Sequence, residues 1–107
     1  MSLFSRTIKN LSMSRVLNEM QADPTIKLID VRSKEEFQGG RIPKAINVPV
    51  ENIQLISKVV VDKNSRIFVY CLSGGRSAQA AHMLNYMGYT NITNLGGIIS
   101  FKGTLEK

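Results

Sequence analysis

The segment Tyr70-Cys71-Leu72-Ser73-Gly74-Gly75-Arg76-Ser77 sets the only cysteine of the chain five residues ahead of an arginine, with two glycines between them. A cysteine attacks as its thiolate, and a nearby positive potential favours that form. A loop that winds into a helix N-terminus turns several backbone N–H groups inward, and the helix dipole adds partial positive charge. Gly74 and Gly75 let such a loop curl through positive φ. Arg76 presents a planar fork matched to a sulfonate or phosphate. Ser73 and Ser77 bring hydroxyl donors, and Ser77 is placed to N-cap the helix. Together these residues describe an anion cradle around a nucleophilic sulfur. The plain alternative is a cysteine buried as a small hydrophobe at a strand end. It accounts for Cys71 but not for the glycines and the arginine that follow it.

A loop of this kind needs a strand to deliver it and a helix to receive it. Arg66–Tyr70 is the clearest strand in the sequence, and Cys71 comes immediately after it. Ser77–Met87 is the clearest helix, with Ala80, Ala81, Leu84 and Met87 spaced for a buried face and Gly88 at its end. Upstream, Ser14–Gln21 reads as a helix with Val16, Leu17 and Met20 on one face and Ser12 or Ser14 as N-cap. Asp23-Pro24 signals a turn. Lys27–Val31 is a short strand. Ser33–Gln38 is a short helix capped by Ser33 and ended by Gly39-Gly40, with Glu35 and Glu36 in the first turn, where the dipole favours them. Ala45–Val48 is a further strand, closed by Pro49. Asn52–Val60 fits a helix or a helix running into a loop. Asn91–Leu95 is the last strand, and Ile98–Lys102 a short closing helix after Gly96-Gly97. Strands alternating with helices imply a parallel sheet with helices on both faces, hence an α/β fold. Ligands of such sheets bind beyond the carboxyl ends of the strands, which is where Cys71 falls.

The 107 residues fit one domain, 1–107, with the first ten or so as a flexible or edge segment. Hydrophobic residues make up 43% and charged residues 21%, an ordinary globular balance, so a core can form without staples. A lone cysteine forms no internal disulfide, and no Cys/His cluster points to a metal or any other cofactor. A single unpaired thiol suits a reducing compartment, so the cytoplasm is the expected location. No apolar run approaches the ~20 residues needed to span a bilayer. Met1–Asn10 is polar and broken by Arg6 and Lys9, unlike a signal peptide. The net charge of +6 comes from 14 basic against 8 acidic residues. The basic residues are scattered, which describes a solvated surface first and, as the alternative, a field that steers small anions. No basic helix face or basic–aromatic interleaving supports nucleic-acid binding.

Cys71 to Ser77 resembles the active-site loop of rhodanese-like domains in its Cys-x-Ser-Gly-x-Arg-Ser form. A second stretch is similar to that family's other signature: Leu28-Ile29-Asp30-Val31-Arg32, Glu36-Phe37, Gly40-Arg41-Ile42-Pro43 and Ala45-Ile46-Asn47-Val48-Pro49. A third, Gly88-Tyr89 through Leu95-Gly96-Gly97-Ile98, resembles its closing strand and turn. There are departures. Arg41 stands where the family usually has His, Lys44 where Gly is frequent, and Phe101 near a position that is often Trp. Arg41 and Lys44 add positive charge to a loop whose distance from Cys71 the sequence leaves open.

The resemblance implies a small, twisted, largely parallel five-stranded sheet with helices on both faces, and a double-displacement sulfurtransferase. The Cys71 thiolate takes sulfur from a small anionic donor such as thiosulfate, or from a persulfide. The resulting persulfide passes the sulfur to cyanide or a thiol. Leu72, Ser73, Gly74, Gly75 and Ser77 then supply the cradle and Arg76 the anion contact, while Asp30 and Arg32 orient loops. With no second cysteine, the acceptor is external: a small thiol, a thioredoxin-like protein or a partner's cysteine. Arg32 is expected to pair with Glu35 or Glu36. His82, with Gln79 and Tyr86, forms a polar stripe opposite the apolar helix face, so it reads as a surface residue rather than a base. Two other functions compete. Phosphatases and an arsenate-reducing relative of the fold use a Cys and Arg cradle whose larger loop, in the phosphatases, puts five residues between the two, whereas here four intervene, Leu72 to Gly75. A non-catalytic docking or regulatory module is the other, although Cys71, Arg76 and both glycines are intact.

Overall fold

The computed structural model describes residues 8–107, so Arg6 and most of the N-terminal stretch considered above lie outside the described residues. Lys9–Asn10 form β1, an edge strand. Ser12 Oγ accepts the Ser14 N–H and opens a 3₁₀ turn, Met13–Arg15, that continues as α1 (Val16–Ala22). Met13 and Val16 are buried, whereas Leu17 is 42% exposed. The extra turn brings Met13 into the stripe, and the face defined by 13, 16 and 20 turns Leu17 outward.

β2 (Lys27–Asp30) leads into α2 (Lys34–Gly39), whose entry is a full capping box: Ser33 caps the Glu36 N–H, and Glu36 caps Ser33 in return. β3 is only Ile46–Asn47. The ambiguous stretch after it resolves into a 3₁₀ segment, Val50–Leu55, broken at Asn52, followed by the single turn α3 (Ile56–Val59). β4 (Ile67–Cys71) feeds α4 (Gly75–Tyr86), and β5 (Ile92–Gly97) ends in a 3₁₀ turn, Ile98–Ser100.

The five strands form one sheet in the order β1-β5-β4-β2-β3, and every pairing is parallel. Central β4 is buried at every residue, as a strand covered on both faces must be. Alternate residues send their side chains to opposite sides. Val69 and Cys71 enter a core closed by Ala80, Ala81 and Leu84 of α4 and by Ile53 and Ile56. Phe68 and Tyr70 enter the other, with Met13, Val16, Ile42 and Leu95. Phe101, near the position that is often Trp in the family it resembles, packs against this second core. The α/β sheet with helices on both faces is therefore as expected.

The candidate active site around Cys71

Cys71 is the last residue of β4, one position earlier in structural terms than a residue following the strand, and it pairs with Gly97 of β5. The ladder slips between Val69 and Tyr70: Val69 pairs with Asn94, but Tyr70 pairs with Gly96. The slip makes a bulge, closed by a bond from the Gly96 N–H to Asn94 Oδ1 at 2.9 Å. It lays Gly96-Gly97 directly under the loop. A Cβ on Gly97 would stand 2.6 Å from Ser73 Cα and closer still to the Leu72 carbonyl oxygen. Only glycine lets the two backbones meet there. The Leu72 carbonyl in turn accepts the Ile99 N–H at 3.3 Å.

The loop turns at Gly74, whose φ of 116° is left-handed, and α4 begins at Gly75. Gly74, not Ser77, is thus the N-cap: the curl happens earlier than expected and carries Ser77 into the first helical turn. From there the Ser77 hydroxyl reaches Gly74 O at 3.0 Å and Gly96 O at 3.4 Å, tying loop, helix and β5 together.

Cys71 is 1% exposed and belongs to the core. Burial pushes its thiol up, since an anion loses hydration there. The Ser77 hydroxyl and the N–H groups of Ser77, Gly74 and Ser73 act against burial and prevail, holding the thiol below its ordinary value. The Gly74 N–H lies 3.0 Å from Sγ. An inert core cysteine has no such donors around it. Leu72, Ser73, Gly74, Gly75 and Ser77 are all brought to this sulfur or to the turn that encloses it.

Arg76 is also in the first turn of α4, but its fork is engaged. Nη1 and Nη2 bind the two Glu36 oxygens at 2.7 and 3.0 Å. The expected partnership of Arg32 with Glu35 or Glu36 does not form. Arg32 instead binds Asp30, with Nη2 2.7 Å from Oδ2, and its other contact is Gly40 O at 2.7 Å. The reason is geometric: Asp30 Oδ1 accepts both the Arg32 N–H and its Nε–H, closing a compact local ring beneath Tyr70. Both side chains are buried, and Asn47 Nδ2 bonds the carbonyls of Asp30 and Arg32. This cluster fixes the segment between β2 and α2, and so places Glu36. Asp30 also pairs with Tyr70, the residue before Cys71, in the ladder between β2 and β4, and Arg32 lies over the Tyr70 ring.

Glu36 is the residue whose link to Cys71 sequence reasoning missed. Its place three residues after Ser33 marks a capping box. Nothing in the spacing says that the same carboxylate crosses to α4. Arg41 stacks on Phe37 at 4.8 Å and pairs through its backbone with Glu106, while Lys44 lines a groove with Leu17, Met20 and Pro43. Lys44 has φ 72°, a left-handed position that explains why glycine suits it. His82, Gln79 and Tyr86 are all exposed. Among the described residues no three His, Cys, Asp or Glu side chains gather as metal ligands, and no helix is long and apolar enough to cross a membrane.

The model of the rhodanese-like domain matches residues 13–104. The chain belongs to the rhodanese-like family. It is 42% identical over 71 residues to the thiosulfate sulfurtransferase PspE of Escherichia coli, an overlap of 65% of this chain and 68% of that one. It is 36% identical over 91 residues to a sulfurtransferase of Allochromatium vinosum, covering 82% and 83% of the two chains. The fold superposes on a solved rhodanese with anions from E. coli with TM-score 0.72 and 37% identity, over 77% of this chain and 98% of that one.

Proposed function

We propose that this rhodanese-like chain is a sulfurtransferase that carries sulfane sulfur as a persulfide on Cys71. The observation that carries the reading is a buried sulfur whose thiolate is favoured by convergent loop donors despite its burial. Rhodanese-like relatives named as sulfurtransferases support the same class of chemistry.

In the first half-reaction the Cys71 thiolate attacks the outer sulfur of thiosulfate. The S–S bond of the donor breaks, its electron pair leaves with sulfite, and a Cys71 persulfide remains. In the second, a thiolate or cyanide attacks the terminal sulfur, and the electron pair of that S–S bond returns to Cys71. Sulfur and charge balance across the cycle, and no outside oxidant is needed. Sulfite departs as a stable anion, so no general acid has to be poised. This suits a site in which His82 is on the far, exposed face of α4.

Leu72 to Ser77 bind the reacting sulfur and the donor, with Arg76 as the anion contact, and Asp30 and Arg32 orient the loop before α2. The acceptor is an external thiol, small or on a thioredoxin-like protein. Its reducing surroundings are those of the cytoplasm, and residues 1–107 form a single domain. Intact-mass spectrometry of the reduced protein after brief thiosulfate exposure tests the reading. A gain of one sulfur atom, reversed by cyanide or thiol and absent in Cys71→Ser, is expected. No gain from thiosulfate or from glutathione persulfide would leave a docking module.

A further inference from the structure

Two guanidinium groups stand at the heart of the two signature segments, and each is matched by a carboxylate. Arg32 is bound to Asp30 in the core, and Arg76 is bound end-on by Glu36. Glu36 is itself held in place: its Oε1 also accepts the Ser33 N–H at 3.0 Å, and its own N–H donates to Ser33 Oγ at 3.2 Å. The carboxylate therefore sits at the fork by construction of α2 rather than by a chance rotamer. Neither arginine presents unpaired charge to Cys71, and the thiolate is stabilised by the loop N–H groups and Ser77.

A guanidinium recognises a sulfonate best through two parallel N–H groups. Here the terminal pair is already engaged by Glu36. A sulfonate on Arg76 has either to displace that carboxylate or to use the remaining N–H groups beside a like charge. A donor without a sulfonate meets no such competition.

Resting on the sulfurtransferase reading and deepening it, we propose that Glu36 is a positioning residue that sets donor preference through Arg76. It occupies the fork an anionic donor needs, and so disfavours thiosulfate relative to hydropersulfides. The Arg76 bond outweighs the opposing effect of burial and, with the Ser33 bonds, holds the Glu36 carboxyl down at about 2, so the competing anion is present throughout the neutral range.

Glu36→Gln tests this, because glutamine also completes a capping box and leaves the α2 entry intact. Steady-state kinetics are measured with thiosulfate and with the hydropersulfide of a thiol that bears no charged group. The expected result is a KM for thiosulfate lowered roughly three- to fivefold, the upper part of the range of a partly exposed ion pair, with kcat and the hydropersulfide KM unchanged. In an Arg76→Ala background the same substitution should have no effect. Glu36→Asp, too short to hold both nitrogens, should shift KM in the same direction and gives a second variant should Gln fail to fold. A thiosulfate KM that is unchanged or raised, or an equal shift with both donors, would overturn the role of Glu36 alone. Absence of turnover by the wild-type protein with either donor would sink the sulfurtransferase reading and the inference with it.

Discussion

At the scale of single residues, the decisive contest is between burial and hydrogen bonding at one sulfur atom. Burial alone would raise the Cys71 thiol and leave it inert at neutral pH. The donors that reverse this are three backbone N–H groups, which no side-chain truncation removes, and the Ser77 hydroxyl, which one does. Ser77→Ala takes away a bond that favours the anion, so the thiol should rise. The rate of alkylation of Cys71 by iodoacetamide, followed against pH, should then move its midpoint to higher pH than in wild type. At a fixed neutral pH the variant should react more slowly, because less of it is thiolate. The maximum rate at high pH should change little, since the fully ionised sulfur is the same nucleophile in both. An unshifted midpoint would mean that the hydroxyl serves only Gly74 O and Gly96 O, as a brace.

At the scale of elements, the site is a junction of β4, β5 and α4 with α2 leaning on it, and its tightest point is Gly97. Because φ there is an ordinary −107°, the demand for glycine is one of space and not of backbone conformation. Gly97→Ala should push the loop off β5 while leaving the sheet paired, at about 1–3 kcal/mol, the usual range for overpacking. Urea denaturation should show that modest loss, and sulfur loading should fall far more than stability does. Full loading in a stable variant would show that the loop can move without harm. The sequence makes much of this junction legible. The strand before Cys71, the helix after Ser77, the capping Ser33 and the glycine-bearing turn all follow from local periodicity and turn chemistry. What local chemistry does not contain is the slip between Val69 and Tyr70, which depends on how β5 meets β4. It also lacks the partner choices of the arginines. Glu36 lies forty residues from Arg76, and Asp30 wins Arg32 because a two-residue ring closes more readily than a contact reaching out to α2. Leu17 leaves the face that its spacing shares with Val16 and Met20 for a similar reason, since the turn at Met13 that rotates the stripe is set by packing on the sheet.

At the scale of the whole molecule, the Cys71 loop hangs on a sheet whose second core contains charge. Asp30 is fully buried, Arg32 is 5% exposed, and the fully buried Tyr70 lies between them and the other core residues, donating no charge of its own. Tyr70 is pushed above its ordinary value by burial and by the Asp30 carboxylate, so it stays a neutral phenol whose oxygen accepts the Ile42 N–H at 3.2 Å. Two opposite charges in such a place are not a strong source of stability, because their desolvation offsets most of their attraction. Removing one is another matter. Asp30→Ala strands a buried guanidinium with Gly40 O as its remaining acceptor among the described residues and frees the Arg32 N–H, which should cost about 3–5 kcal/mol. A domain of this size has roughly 5–15 kcal/mol in total, so the urea midpoint should fall by a large fraction of its value. The double variant Asp30→Leu/Arg32→Met removes both charges, and it should recover most of the loss if the penalty lies in the unpaired charge. Recovery of stability without recovery of sulfur loading would be the more informative outcome. It would separate the global cost of an orphaned arginine from the local task of holding the β2–α2 segment, and with it Glu36 and Arg76, against the Cys71 loop. Failure of the double variant to recover would place the cost in the lost loop bonds themselves, Arg32 N–H to Asp30 above all.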